Sequence, residues 1–270
     1  MSKISPLAII EDGAKIGENV EVGPYCFISK DATIGDNTSI AQNSCIYGKT
    51  TIGKGNKIYS HAVIGSDPQD LKYQKEDNVE LVIGDNNTIR EFTLLNPGTL
   101  KGGGVTSIGS NNLFMGYVHI GHDVIVGDSC IFANAATIAG HVEIGNYVVV
   151  GGMTPIHQFV KIGSHAMLAG ASAVSQDVPP YCMVEGNRAV LKGLNLTGLR
   201  RRDFQRDEID ALKSAYKQLF DSGKPLKDVA NELLESSTYE HVKRLCDFII
   251  NTKRGISYIR KSSLKGDKNE

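Results

Sequence analysis

Four of the seven histidines fall between residues 119 and 157, and two of them share the stretch HIGHD (119–123) with Asp123. An imidazole is the side chain best suited to exchange a proton near neutral pH. A carboxylate beside it fixes the tautomer and raises its basicity, as in a catalytic dyad. Three imidazoles brought together suit zinc with an open fourth position, the chemistry of a lyase or hydrolase. The plainest reading is a surface or core histidine without chemistry, which suffices for His61, His165 and His241. The choice turns on how the chain places His119, His122, His141 and His157 relative to one another.

The elements that place them are short and numerous. Every sixth residue from Ile4 to Ile64 gives eleven β-branched side chains, and from Ile108 to Val174 twelve apolar ones. At 41% hydrophobic residues overall, such a run arises by chance on the order of once in a billion, so the period is real. A shorter block, Ile83, Ile89 and Leu95, lies between. The residue two before the aliphatic one is usually small, as at Ala8, Ala14, Cys26, Ala32, Thr38, Ser44, Thr50, Ala62, Cys130 and Ala136. A period of six suits short strands joined by tight turns and wound into a parallel β-solenoid. The aliphatic residue fills the interior, the small one fits the corner, and Gly, Asn and Asp accept the turn conformations. Three hexads make a triangular coil of 18 residues, and the hexads together make nearly nine coils, a prism roughly 40 Å long at ~4.8 Å per coil.

Two stretches interrupt the period: 66–82, long and polar, and 97–107, PGTLKGGGVTS, rich in glycine. Loops leaving a rigid frame are where function concentrates. The second lacks the order of a phosphate-binding loop. After about residue 190 the pattern turns helical, with stripes at Ile209, Leu212, Tyr216, Leu219 and Phe220, at Val229, Leu233 and Leu234, and at Val242, Leu245 and Ile249. DSGKP (221–225) separates the first two. The expected organisation is a β-solenoid over 1–190 and a small α-helical domain over 191–270, with a frayed tail from 261.

Composition narrows the function. A net charge of −1 gives no case for nucleic acid. No run of 18 apolar residues supplies a membrane span. The first residues lack a signal-peptide apolar region, so the chain reads as cytoplasmic. Five scattered cysteines suit buried thiols in a reducing compartment.

Residues 18 apart stack on neighbouring coils. Gly121, Ala139 and His157 share a column, His122, Gly140 and Gln158 the next, and Asp123, His141 and Phe159 a third. His122, His141 and His157 thus lie on three successive coils, with His119, Asp123 and Gln158 in the same patch. Clustering of this kind marks sites. His122 is the candidate base. Asp123 follows it directly, and at a solenoid corner its carboxylate can support the imidazole. Gly140, stacked on His122, leaves space for a substrate and offers an N–H to an oxyanion. No serine or cysteine pairs with His122, so direct attack by a substrate hydroxyl is simpler than a covalent intermediate. Zinc on the three histidines is the competing reading. The run Arg200-Arg201-Arg202 suits phosphates and, with Arg188 and Lys192, an acidic protein.

The segments PQDLKY (68–73), VHIGHD (118–123), ATIAGHVEIG (136–145), GGMTPIHQFVKIG (151–163), DVPPY (177–181), EGNRA (185–189) and GLRRR (198–202) together resemble the UDP-N-acetylglucosamine O-acyltransferase family over nearly the whole chain. The resemblance implies a left-handed parallel β-helix in a homotrimer, with sites between subunits and no cofactor. It implies 3-hydroxyacyl-acyl carrier protein as donor, UDP-N-acetylglucosamine as acceptor, and the first step of lipid A synthesis. His122 would be the general base, Asp123 its orienting carboxylate and Gly140 the oxyanion donor. Gln69, Asp70, His141 and Gln158 would hold the sugar, Lys72 and His119 would lie near the diphosphate, and His157 would support the site. Asn195, Arg201 and Arg202 would contact the nucleotide. Gly170 matches the position that limits the acyl chain, and glycine there favours a longer one. Two places depart from the family pattern: Asn96-Pro97 replaces a His-Arg pair, and Thr197 an acidic residue. They bear on whether the sugar carries a 3-hydroxyl or a 3-amine, which would give an amide.

Overall fold

In the computed structural model, which describes residues 2–74 and 78–259, the hexads form three parallel sheets wrapped round one interior. The winding is a left-handed β-helix, with a small helical region after it. Most strands are two residues long, as at His119–Ile120 and Thr137–Ile138, with turns of four between them. Successive strands of one face pair in register 18 residues apart, as Ile120 with Ile138 and Ile138 with Ile156. We number the faces in chain order, so that Ile4, Ile10 and Ile16 begin faces 1, 2 and 3. The corners are then 1–2, 2–3 and 3–1.

The interior is the stack of hexad aliphatics. From Val22 to Val174 each is buried to 3% exposure or less, whereas Ile4, in the terminal coil with nothing stacked below it, is 45% exposed. Each buried Ile or Val contributes about 1.5–3 kcal/mol by leaving water. Turns close through left-handed residues, and at corner 3–1 asparagine often takes that place, as at Asn19, Asn37, Asn86 and Asn111.

The small-residue rule breaks in mid-stack. At three successive coils Asn56, Asn87 and Asn112 occupy the corner position and are buried. They form a ladder: Asn56 Oδ1 accepts from the Asn87 amide nitrogens, Asn87 Oδ1 from Asn112 N, and Asn112 Oδ1 from Cys130 N. Their Nδ2 groups donate to the Gly84, Gly109 and Gly127 carbonyls. Each amide thereby satisfies backbone groups of the next coil that a small apolar residue would leave to water.

Both interruptions end sooner than their composition suggests. Glu80–Ile83 and Val105–Ile108 are already strands of face 3, pairing with Lys49–Ile52 and each other at offsets of 31 and 25 residues. The extra residues are therefore 31 − 18 = 13 and 25 − 18 = 7. The alternating patterns ELVI and VTSI bury Leu81, Ile83, Thr106 and Ile108, which draws the loop ends into the sheet.

The change near residue 190 falls inside a strand. Cys182–Glu185 and Val190–Leu194 extend face 1, the last antiparallel. Helices α1 (Leu196–Arg201), α2 (Arg206–Asp221), α3 (Leu226–Ser236) and α4 (Glu240–Asn251) follow. The stripes read from sequence are their buried faces: Ile209, Leu212, Leu219 and Phe220 on α2, Val229 on α3, and Val242, Leu245 and Ile249 on α4. The short α1 lacks a stripe of its own. Its cap is Asn195, whose Oδ1 accepts from Gly198 N. The expected frayed tail lies outside the described residues. Cys26, Cys130, Cys182 and Cys246 are buried and all five cysteines are free thiols. Burial pushes the Cys130 thiol up to about 12, so it stays a protonated packing group. No helix among the described residues is long and apolar enough to cross a membrane.

Candidate active site

Corner 2–3 gathers the candidate residues. The first insertion leaves it after Ile64, the second after Leu95, and the next three turns hold His122-Asp123, Gly140-His141 and His157-Gln158. The signal was available in the sequence, because Ile64, Leu95 and Ile120 hold the same place in three successive coils.

His122 and Asp123 form a dyad although they are chain neighbours. In an extended strand they would face opposite sides. Here Asp123 sits at φ 61, and this left-handed turn brings its carboxylate back beneath the imidazole. His122 Nδ1 and Asp123 Oδ2 are 2.7 Å apart, the aspartate side chain nearly inaccessible and the histidine partly open. With Nδ1 committed to Asp123, Nε2 is the nitrogen free to take a proton. The ring lies on Gly140: a β-carbon there would stand 2.6 Å from Cε1 and 2.7 Å from Nε2. Glycine at 140 is therefore a requirement of the imidazole's position.

The second insertion closes over the carboxylate. Thr99 N donates to Asp123 Oδ1 at 2.8 Å and Thr99 Oγ1 to Oδ2 at 2.6 Å. Asp123 N donates to Thr106 Oγ1 at 2.8 Å. A side chain at Gly102 would run into the carboxylate. The sequence reading found the loop but not these partners.

His141 joins the dyad, its Nε2 3.7 Å from Asp123 Oδ2 and its ring edge-on to His122 at 5.0 Å. Phe159 stacks on its other side at 4.5 Å. His119 stands on face 2, one strand before the corner. Burial, with a smaller push from His122, holds its imidazole below the ordinary histidine range. Its Nδ1 is buried and unpartnered among the described residues.

His157 departs from the expected cluster. It is exposed, and its Nδ1 faces Arg254 Nη2 at 3.3 Å and the Gln158 carbonyl at 3.1 Å. It holds the first place after its strand, as Gly121 and Ala139 do, one column from His122. Among the described residues, the group compact enough to hold a cation is instead His122, Asp123 and His141, with ligand atoms within 4.8 Å. There the nitrogen and oxygen nearest each other are already spent on one hydrogen bond, and Thr99 takes a further lone pair of the same oxygen. The arrangement suits proton transfer better than zinc ligation.

Gly140 is buried, and its N–H donates to no acceptor among the described residues. At corner 3–1 the equivalent N–H groups of Glu18, Lys54, Asp85, Ser110, Asp128 and Asn146 each donate to a side chain of the coil above. Gln158, which stacks on Gly140, is exposed, and the described contacts hold no acceptor for the Gly140 N–H.

The first insertion carries Gln69, Asp70 and Lys72 out from this corner, two coils before His122. Asp70 Oδ1 accepts from Lys72 N. Gln69 and Lys72 are exposed, and Leu71 between them is fully so. Its base is fixed by Asn96, one of the two departures: the buried Nδ2 donates to the carbonyls of Ser66 at 3.0 Å and Asp67 at 3.2 Å.

The remaining expected residues lie on other corners. Asn195 caps α1 and ties its Nδ2 to the His165 carbonyl at corner 3–1. Arg202 lies over the Tyr147 ring at the same corner, 4.4 Å from its centroid. Arg201 and Thr197 are exposed on α1. Gly170 is exposed at corner 1–2, where an added β-carbon would meet only the Gly152 backbone, at 3.4 Å and beyond. One chain therefore brings together His122, Asp123, Gly140 and His141, and leaves the expected nucleotide and acyl residues on its other two corners.

Comparison with known proteins is consistent across sequence and structure. Residues 177–257 match the family model described as UDP-N-acetylglucosamine O-acyltransferase, domain 2, and residues 31–66 and 106–140 match bacterial transferase hexapeptide repeats. The acyl-(acyl-carrier-protein)–UDP-N-acetylglucosamine O-acyltransferase of Sulfurimonas denitrificans is 73% identical over 261 residues, covering 97% of this chain and 99% of the relative. That of Aliarcobacter butzleri is 62% identical over 97% of this chain and 100% of its own. The solved UDP-N-acetylglucosamine acyltransferase from Campylobacter jejuni superposes with a TM-score of 0.92 at 51% identity, covering 96% of this chain and all of that one.

Proposed function

The chain belongs to the acyl-(acyl-carrier-protein)–UDP-N-acetylglucosamine O-acyltransferases, and from that membership we propose that it moves a 3-hydroxyacyl chain from acyl carrier protein to the 3-hydroxyl of UDP-N-acetylglucosamine, the first step of lipid A synthesis, in the cytoplasm. His122 Nε2 takes the proton of the sugar hydroxyl. The oxygen attacks the thioester carbonyl, whose own oxygen becomes an oxyanion facing the Gly140 N–H. Collapse expels the carrier thiolate, which receives the proton from His122. Asp123 keeps the tautomer in which Nε2 is the base. Asp70 with Gln69, His141 and Gln158 hold the sugar, Lys72 and His119 face the diphosphate, and His157 supports the site from its edge. Asn195, Arg201 and Arg202 reach the nucleotide.

Such a site is completed between copies of the chain, in a homotrimer. The spread of these residues over three corners supports this reading, because one prism cannot present all its edges to one substrate. Tyr25, Phe92, Tyr117 and Met153, all exposed, lie along corner 1–2, the corner that also carries Gly170, and exposed apolar groups of this kind mark interfaces. The missing side chain at Gly170, where a β-carbon would reach the Gly152 backbone, supports a longer acyl chain.

The observation that carries the reading is the His122–Asp123 contact with Nε2 seated on Gly140. His122→Ala is expected to cut transfer to a small residual rate while leaving the fold and its melting intact; a fully active variant sinks the assignment. Mass spectrometry of products from a mixed acyl-carrier pool, offered both 3-hydroxyl and 3-amino sugars, identifies chain length and acceptor atom.

A further inference from the structure

We propose that the second insertion is the seat of the base, with Thr99 a positioning residue that acts on His122 through Asp123. This rests on His122 being the base. A carboxylate whose side chain is 1% exposed is costly to keep charged unless donors surround it. Asp123 has three on its two oxygens: the Thr99 N–H, the Thr99 hydroxyl and His122 Nδ1. Two of the three come from a single residue of the loop. The hydroxyl shares Oδ2 with the imidazole, so it fixes the direction from which that oxygen meets Nδ1. The bare Gly102 backbone covers the group, and Thr106 Oγ1 holds the Asp123 main chain from face 3. The glycine-rich second insertion is spent on the dyad's far side.

Loss of the hydroxyl has a specific signature. The charged carboxylate would lean more on a protonated His122, so the protonated dyad gains relative to the neutral one. The other titratable groups facing the pair are His141, from the coil above, and His119, from face 2, and both stay in place.

The test uses the full chain and four variants: Thr99→Val, Thr99→Ala, Thr99→Ser and His122→Ala. Thr99→Val keeps the shape and the N–H donor. Its kcat is expected to fall about 10- to 100-fold, with KM for the sugar nucleotide unchanged and the acid limb of the kcat profile moved to higher pH. Thr99→Ala carries the same expectation, and either is read if its melt matches the parent. Thr99→Ser recovers most of the rate. In the His122→Ala background Thr99→Val has no further effect, because the two act as one unit. An unchanged kcat and pH profile, failure of serine to rescue, or full additivity overturns the role of Thr99. An active His122→Ala strikes the base assignment itself, whereas a silent Thr99→Val beside a dead His122→Ala strikes only the positioning role.

Discussion

Replacing Gly140 with alanine adds one carbon where the His122 imidazole now lies. That carbon would stand 2.6 Å from Cε1, 2.7 Å from Nε2 and 3.0 Å from Nδ1, against an ordinary contact of about 3.5 Å. The backbone is no obstacle, since Gly140 is outside the left-handed region and its conformation admits a side chain. The imidazole must therefore retreat by about 1 Å. It is tethered, with Nδ1 2.7 Å from a carboxylate that Thr99 holds on its other side. Retreat either lengthens that hydrogen bond or swings Nε2 away from the substrate oxygen. A misplacement of about 1 Å costs on the order of 100-fold in rate, about 2.7 kcal/mol of transition-state stabilisation. The loss should appear in kcat, with the circular dichroism and the melt close to the parent. Steady-state release of the carrier thiol at saturating sugar nucleotide measures it. A folded Gly140→Ala with kcat within about threefold of the parent would refute the packing argument.

Three other changes probe the frame. Asn96→Ala strips the Ser66 and Asp67 carbonyls of their donor, at about 1–3 kcal/mol. Because it loosens the loop that carries Asp70, KM for the sugar nucleotide should rise more than kcat falls; an unchanged KM denies Asn96 that role. Asn87→Ala breaks the middle rung of the asparagine ladder and should lower unfolding free energy by about 3 kcal/mol, read from denaturant midpoints, whereas a neutral result would show that the rungs are dispensable. His165 lies against Tyr147 at 4.8 Å and Phe204 at 5.1 Å, and burial, with the Arg202, His241 and Arg244 charges, depresses its imidazole to about 4. The unfolded chain takes up that proton near 6.5, so stability falls as pH drops from about 6.5 toward 4 and levels below. His165→Phe should flatten thermal melts across that window, and an unaltered slope counts against the assignment.

The period of six was enough to determine the solenoid, its three-hexad coil and the burial of every aliphatic from Val22 to Val174, because each hexad meets the same interior whatever its neighbours do. The 18-residue column arithmetic likewise placed His122 against Gly140 and beside His141. Single positions followed less well. Asn56, Asn87 and Asn112 look like violations of the small-residue rule until the next coil supplies their partners, and Asn96 looks like a lost histidine until the loop base is seen in its grasp.

What only the tertiary structure decided was direction. Periodicity sets which column a residue occupies, but not whether a turn at φ 61 folds Asp123 back under its own neighbour. Nor does it say that a loop from the coil below supplies Thr99, or that His157 turns away to Arg254. It also gives no account of which corner receives the helical region, and so left unseen that Arg202 stands on an edge away from His122. The Thr99 and His157 outcomes depend on contacts between residues 24 and 97 positions apart, which no local pattern encodes.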